Sequence, residues 1–219
     1  MKRLMSIMAV CLLVMSVSAQ AKYVFYFIGD GMGQNQVLTT EMYRAELEGK
    51  ISRRPLYMTQ FPISGQVVTF SQSNGITDSS AAGTCLASGE KTKNGTLGLR
   101  PDGTPVVTIA ERLKKEGWGI GIMTSVSIDH ATPAAFYAHV QKRNEYNLIG
   151  HQLAASNFDF FGGATFYQPY PKEGRTEKDR SLYQVVQEQG YTIAHGYQEF
   201  LDTQSHARKM ILIQEQIGR

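Results

Sequence analysis

A chain of 219 residues, 42% hydrophobic and 19% charged, has the length and apolar content of a single α/β domain with a sizeable core; disordered and collagen-like classes do not fit it. Its formal net charge of +3 drops to near neutrality once Lys2 and Arg3 are set aside as part of a leader. With no Lys/Arg cluster interleaved with aromatics, nucleic acid is not an expected partner. Lys2 and Arg3 precede an apolar run over 4–17 and the small residues Ser18, Ala19 and Ala21, so 1–21 reads as a secretory signal peptide cleaved after Ala19 or Ala21. That run is too short to span a bilayer, so the expectation is a periplasmic or secreted protein without stable membrane insertion. The mature domain is then 22–219. Cys11 leaves with the leader, and Cys85 alone makes no intrachain disulfide.

In chain order, strand and helix patterns alternate. Residues 23–28 (YVFYFI) are a β-branched and aromatic run predicted as a strand buried on both faces, ending at Gly29-Asp30-Gly31. A helix is predicted over 34–47, a strand over 63–70, an amphipathic helix over 106–115 and a buried strand over 118–124. Helices near 134–140 and 148–155 lead to a strand over 158–161, closed by Gly162 and Gly163. A helix over 182–188 and strands over 191–194 and 210–213 complete the pattern. The fold class is therefore α/β, a three-layer α/β/α sandwich with a mostly parallel central sheet. Few residues follow 213, too few for the crossover that covers a parallel strand, so the sheet is expected to be incomplete at the C-terminus.

Three polar clusters fall at strand ends, where open α/β sheets gather functional groups. In Gly29-Asp30-Gly31-Met32-Gly33, glycines flank one carboxylate and leave the backbone free to turn, which suits a cation ligand and equally a turn with a capping Asp. In Thr77-Asp78-Ser79-Ser80-Ala81-Ala82-Gly83-Thr84, a Ser at the first turn of a close-packed helix presents a hydroxyl and free N–H groups to an anion. The same residues also read as a plain helix start capped by Asp78 or Ser79. In Asp129-His130-Ala131-Thr132-Pro133, Pro133 is expected to keep Thr132 extended, so that His130 and Thr132 alternate toward one site. Arg143, about three helical turns on, is a candidate bidentate phosphate clamp. His139 is expected inside an apolar helix, as a hydrogen-bonded core residue rather than a ligand.

Together, in this order, these clusters resemble the alkaline phosphatase family. Gly29 to Gly33 resembles its first metal-binding turn. Thr77 to Thr84, continued by Ser88-Gly89-Glu90-Lys91-Thr92-Lys93-Asn94-Gly95, is similar to its nucleophile segment, and His130-Ala131-Thr132-Pro133-Ala134-Ala135 with Arg143 to a metal and phosphate segment. The resemblance runs from about residue 23 to at least 143, the N-terminal portion of a bacterial secreted member. It implies a metal-dependent phosphoric monoester hydrolase acting on small phosphate monoesters through a phosphoserine intermediate. Ser79 would be the nucleophile and a metal ligand; Arg143 would hold two phosphate oxygens, with Asp78 orienting it. Asp30 would bridge zinc and magnesium, and Thr132 and His130 would belong to the third metal site, where some bacterial members carry aspartate in place of His130. The resemblance also implies a homodimer for the full-length protein. No later segment supplies the family's remaining zinc ligands, so the 219 residues alone are expected to be inactive. The alternatives are a non-catalytic remnant binding phosphate or metal weakly, or a phosphodiesterase or sulfatase-like relative.

Overall fold

The computed structural model describes residues 21–172, 176 and 179–214; the leader expected over 1–21 lies, but for its last residue, outside them. The described residues fall into two compact units that meet between Met32 and Gly33. In the first, the amide of Met32 donates to the Gly29 carbonyl (3.1 Å), and Gly31 takes φ +68°, a left-handed conformation that glycine adopts without penalty. Asp30 sits in this turn and is exposed. The run before it forms no strand: Tyr23, Val24, Phe25, Tyr26 and Phe27 are all exposed.

The second unit contains α1 (Gln34–Glu46), a 3-10 turn (Tyr57–Gln60), α2 (Ser79–Ser88), α3 (Ile109–Lys115), β1 (Gly121–Ser127), α4 (Ala131–Ala134) and α5 (Tyr146–Ala155). It continues with β2 (Phe160–Ala164), α6 (Leu182–Glu188), β3 (Tyr191–His195), α7 (Gly196–Thr203) and β4 (Lys209–Ile213). The four strands form one parallel sheet in the order β1-β2-β4-β3. A parallel strand covered by helices reads as a continuous apolar run, and Met210, Ile211 and Ile213 of β4 are buried accordingly. Phe158, Phe161, Ile149, Leu153, Leu182 and Val186 are sealed from solvent, and α5 packs on α6 with Gly150 directly beneath the Leu182 side chain. Capping boxes start α3 (Thr108 with Glu111) and α6 (Ser181 with Gln184).

Further local expectations are corrected. Residues 63–70 form no strand, and Ile63, Val67 and Val68 are exposed. β-propensity says that a residue suits a pleated surface but does not provide a neighbouring strand to pair with. Gly162 and Gly163 lie within β2 instead of closing it, and at Gly163 β1 passes too close for a side chain: a Cβ there would meet the Thr124 methyl at 2.7 Å and the Val126 carbonyl at 2.9 Å. Opposite them β1 bulges, with Met123 paired to Gly162 and Ser127 to Ala164. The helix near 134–140 is displaced to Ala131–Ala134 and is followed by turns. α7 was not foreseen, since it starts at Gly196 (φ +79°) and buries none of its residues; Phe200 instead rests edge-on against Phe160, ring centres 6.0 Å apart.

One contact brings the second and third sequence clusters together. α2 packs against α4 at Gly83, where a Cβ would lie 2.8 Å from Ala135 Cβ, 3.7 Å from the Thr132 carbonyl oxygen and 3.9 Å from Thr132 Cα. Ala135 is buried and cannot retreat. Gly83→Ala should therefore lower stability by roughly 1–3 kcal/mol through overpacking, read as a lower urea midpoint with unchanged m-value.

Candidate active site

Asp78 is the N-cap of α2, and its Oδ1 accepts from the Ala81 amide at 2.9 Å. This resolves the choice of cap: Ser79 is the first helical residue and remains half-buried. Ser80, next to it, is fully buried, its hydroxyl 2.8 and 2.6 Å from the two Asp78 oxygens and 3.0 Å from the Gly95 amide. The two serines thus differ in burial, Ser80 sealed from solvent and Ser79 half-buried.

The same carboxylate reaches across to the third cluster. Asp78 Oδ2 accepts from the Gly95 amide at 3.0 Å and from Arg143 Nη1 at 3.2 Å. Burial pushes the Asp78 carboxyl up, but the bonds from Ser80, Ala81, Gly95 and Arg143 outweigh it and hold the group below its ordinary range. Arg143 is not helical. It lies in a turn three residues after Val140, which exchanges two hydrogen bonds with Leu97 (3.0 and 2.9 Å), and its own amide donates to the Gly95 carbonyl at 2.7 Å. The guanidinium is therefore fixed from both ends, by its backbone on Gly95 and by its side chain on Asp78.

His130 is the N-cap residue of α4, at the end of the turn that follows β1, and Thr132 is in the helix. The extended Thr132 expected from Pro133 is corrected: Pro133 stands in the first turn, where its missing N–H is not needed, and the helix overrides its preference for an extended predecessor. Thr132 still lies beside α2, by way of Gly83, four residues beyond Ser79 on the same helix face. Asp129, fully buried, receives the Tyr167 amide on both oxygens (3.1 and 2.9 Å), and burial raises its carboxyl. That bond ties the loop after β2 to the turn bearing His130.

His139 lies outside any helix, contrary to expectation, though it is hydrogen-bonded at both ring nitrogens. The structure thus gathers Asp78, Ser79 and Arg143, with Thr132 brought against α2 at Gly83 and His130 capping α4. Asp30 belongs to the other compact unit. Sequence reading missed Gly95 and Ser80 as the partners that hold Asp78. The only signal for them was the small-residue character of the stretch, since a backbone amide has no side-chain signature. Among the described residues no three His, Cys, Asp or Glu side chains gather into a metal-sized cluster. His130 and Thr132 offer one nitrogen and one oxygen donor, short of the roughly three protein ligands that zinc takes.

Comparison with known proteins identifies the family and the fold. A family model described as alkaline phosphatase matches residues 21–213. Alkaline phosphatase 4 of Bacillus subtilis (strain 168) is 29% identical over 186 residues, which cover 80% of this chain but 38% of that protein. The crystal structure of the Thermus thermophilus alkaline phosphatase superimposes with a TM-score of 0.72 at 26% identity, covering 86% of this chain and 39% of that one. A mutant of the TAB5 alkaline phosphatase, solved with Mg bound in its M3 site, gives a TM-score of 0.66 at 26% identity, covering 74% of this chain and 46% of that one. The chain therefore spans less than half the length of these relatives. With the family match running through both the Asp30 turn and the Asp78–Arg143 site, the chain belongs to the alkaline phosphatase family.

Proposed function

We propose that this chain carries the nucleophile and phosphate-clamp portion of a metal-dependent hydrolase of small phosphate monoesters. The observation that carries this reading is Asp78, which caps the helix starting at Ser79 and also holds Arg143. In the proposed reaction Arg143 binds two non-bridging phosphate oxygens as a planar fork, and the positive N-terminal end of α2 attracts the same anion. Ser79 Oγ attacks phosphorus in line, the ester oxygen leaves with the alcohol, and the phosphoserine is then hydrolysed. Zinc and magnesium, when bound, would supply Lewis-acid stabilisation of the attacking and leaving oxygens. Asp30, Ser79, His130 and Thr132 are the part of the ligand set assigned to this chain, with His130 at the third metal. Since the match covers 38% of the Bacillus subtilis relative, turnover is assigned to the family-length protein.

The test is release of p-nitrophenol from p-nitrophenyl phosphate by the family-length protein carrying these residues. Chelation should abolish it, and zinc with magnesium should restore it; activity indifferent to chelator would refute the metal-dependent reading. Faster turnover of bis(p-nitrophenyl) phosphate or of a sulfate ester would move the assignment to a diesterase or sulfatase-like activity, and weak phosphate binding without turnover to a remnant. The proposal includes export with removal of 1–21, checked by the N-terminus of the mature protein, and homodimerisation, checked by light scattering.

A further inference from the structure

His139 has no part in the proposed chemistry, yet both its ring nitrogens face acceptors. Nδ1 lies 2.8 Å from the Gly98 carbonyl oxygen and Nε2 2.9 Å from Glu111 Oε1. A carbonyl and a carboxylate only accept, so both bonds exist together only when the ring carries two protons. The charged group facing the ring is Glu111 of α3, anchored in turn by the Thr108 amide at 2.8 Å. From α5 comes the neutral Gln152, which exchanges bonds of 2.7 and 3.3 Å with the His139 backbone.

These contacts close on the ladder that carries Arg143. Gly98 adjoins Leu97, whose two bonds to Val140 lead on to the Gly95–Arg143 and Gly95–Asp78 bonds. The Gly98 amide donates to Thr84 Oγ1 on α2 at 3.0 Å, so the loop is also pinned to the helix that begins at Ser79. There is no slack at Gly98: it takes φ +62°, and a Cβ there would lie 2.2 Å from the Ala138 carbonyl oxygen and 2.5 Å from His139 Nδ1.

We propose that His139 is a positioning residue for the phosphate site: as an imidazolium tied to Gly98 and Glu111, it locks the 95–99 loop onto the 139–143 segment and thereby holds Arg143 and Asp78 in register with Ser79. The proposal rests on the phosphomonoesterase reading above. Its pH sense follows from the contacts. The Glu111 carboxylate, against the opposing effect of burial, raises the imidazole above its ordinary value of 6.5. The clamp is whole below that value and opens as pH rises through the raised one, because a neutral ring keeps a single N–H. Phosphate is then held more loosely in the alkaline range.

The experiment uses the metal-loaded family-length protein labelled with ¹⁵N-histidine. Ring nitrogens are read by NMR, and inorganic phosphate affinity is measured across pH for wild type, His139→Gln and Glu111→Gln. The expected results are two ring protons on His139 at pH 6 and about tenfold weaker phosphate binding in both variants at that pH. The difference should vanish as the wild-type ring deprotonates; the ionisation of phosphate itself is common to all samples and cancels in the ratio. A ring with one proton at pH 6, or folded variants that match wild type at every pH, overturns the proposal. If a variant fails to fold, the wild-type proton count decides. A wild type that binds no phosphate at any pH overturns the phosphatase reading and this proposal with it, and a doubly protonated ring then locates the failure in function, not in the clamp.

Discussion

Ser79→Ala should abolish release of p-nitrophenol by the metal-loaded, family-length protein, by roughly four orders of magnitude or more, because it removes the atom that accepts the phosphoryl group. The neighbouring serine provides the control. Ser80 is fully buried and spends its hydroxyl on Asp78 and Gly95, so Ser80→Ala should cost about 1–3 kcal/mol of stability while leaving the nucleophile in place. Acid-quenched enzyme digested after exposure to substrate should carry its phosphate on the Ser79 position in wild type and in Ser80→Ala, and on neither serine in Ser79→Ala. Full activity in Ser79→Ala, or phosphate found on Ser80, would reverse the assignment that rests on the helix start.

Asp78→Ala should have the second-largest effect, and it acts on folding and binding at once. It deletes the cap of α2 and leaves Arg143, Gly95 and Ser80 without their shared acceptor, a loss of roughly 2–4 kcal/mol. Arg143, half-buried and no longer directed, should bind inorganic phosphate at least tenfold more weakly. The pH dependence has a definite sign. The Asp78 carboxyl is depressed in the folded state, so its contribution is fully present above the ordinary aspartate value of 3.8 and is lost as pH falls through the lower folded value. Urea midpoints taken from pH 7 to pH 2.5 should show an acid-side fall in wild type that is smaller in Asp78→Ala. Parallel curves would mean that the Asp78 network contributes nothing to stability.

The chain's periodicity made much of the second unit legible. The apolar run 210–213 became β4, the run 191–194 became β3, and the helix over 182–188 has the bounds of α6, because buried parallel strands and capped amphipathic helices write their environment directly into residue order. Where a partner is needed, order was silent. Residues 23–28 and 63–70 have strand composition and no strand, since pairing is a property of two segments and composition of one. Gly162 and Gly163 look like a terminator in sequence; in space they are where β1 passes over β2.

By itself the sequence determined the α/β class, the order of the three clusters and the residue types Asp30, Asp78, Ser79, His130, Thr132 and Arg143 that suit phosphate and metal chemistry. Only the tertiary structure decided that Asp78 caps α2 while holding Arg143, that Ser80 is engaged and Ser79 half-buried, that Thr132 reaches α2 through Gly83, and that His139 joins Gly98 to Glu111. The physical reason is separation along the chain. Local dihedral preferences and hydrophobic period act over a few residues and leave a readable pattern, whereas the bonds from Asp78 to Arg143 and from His139 to Gly98 join residues 65 and 41 positions apart, the first between two side chains and the second through a backbone carbonyl, which every residue possesses.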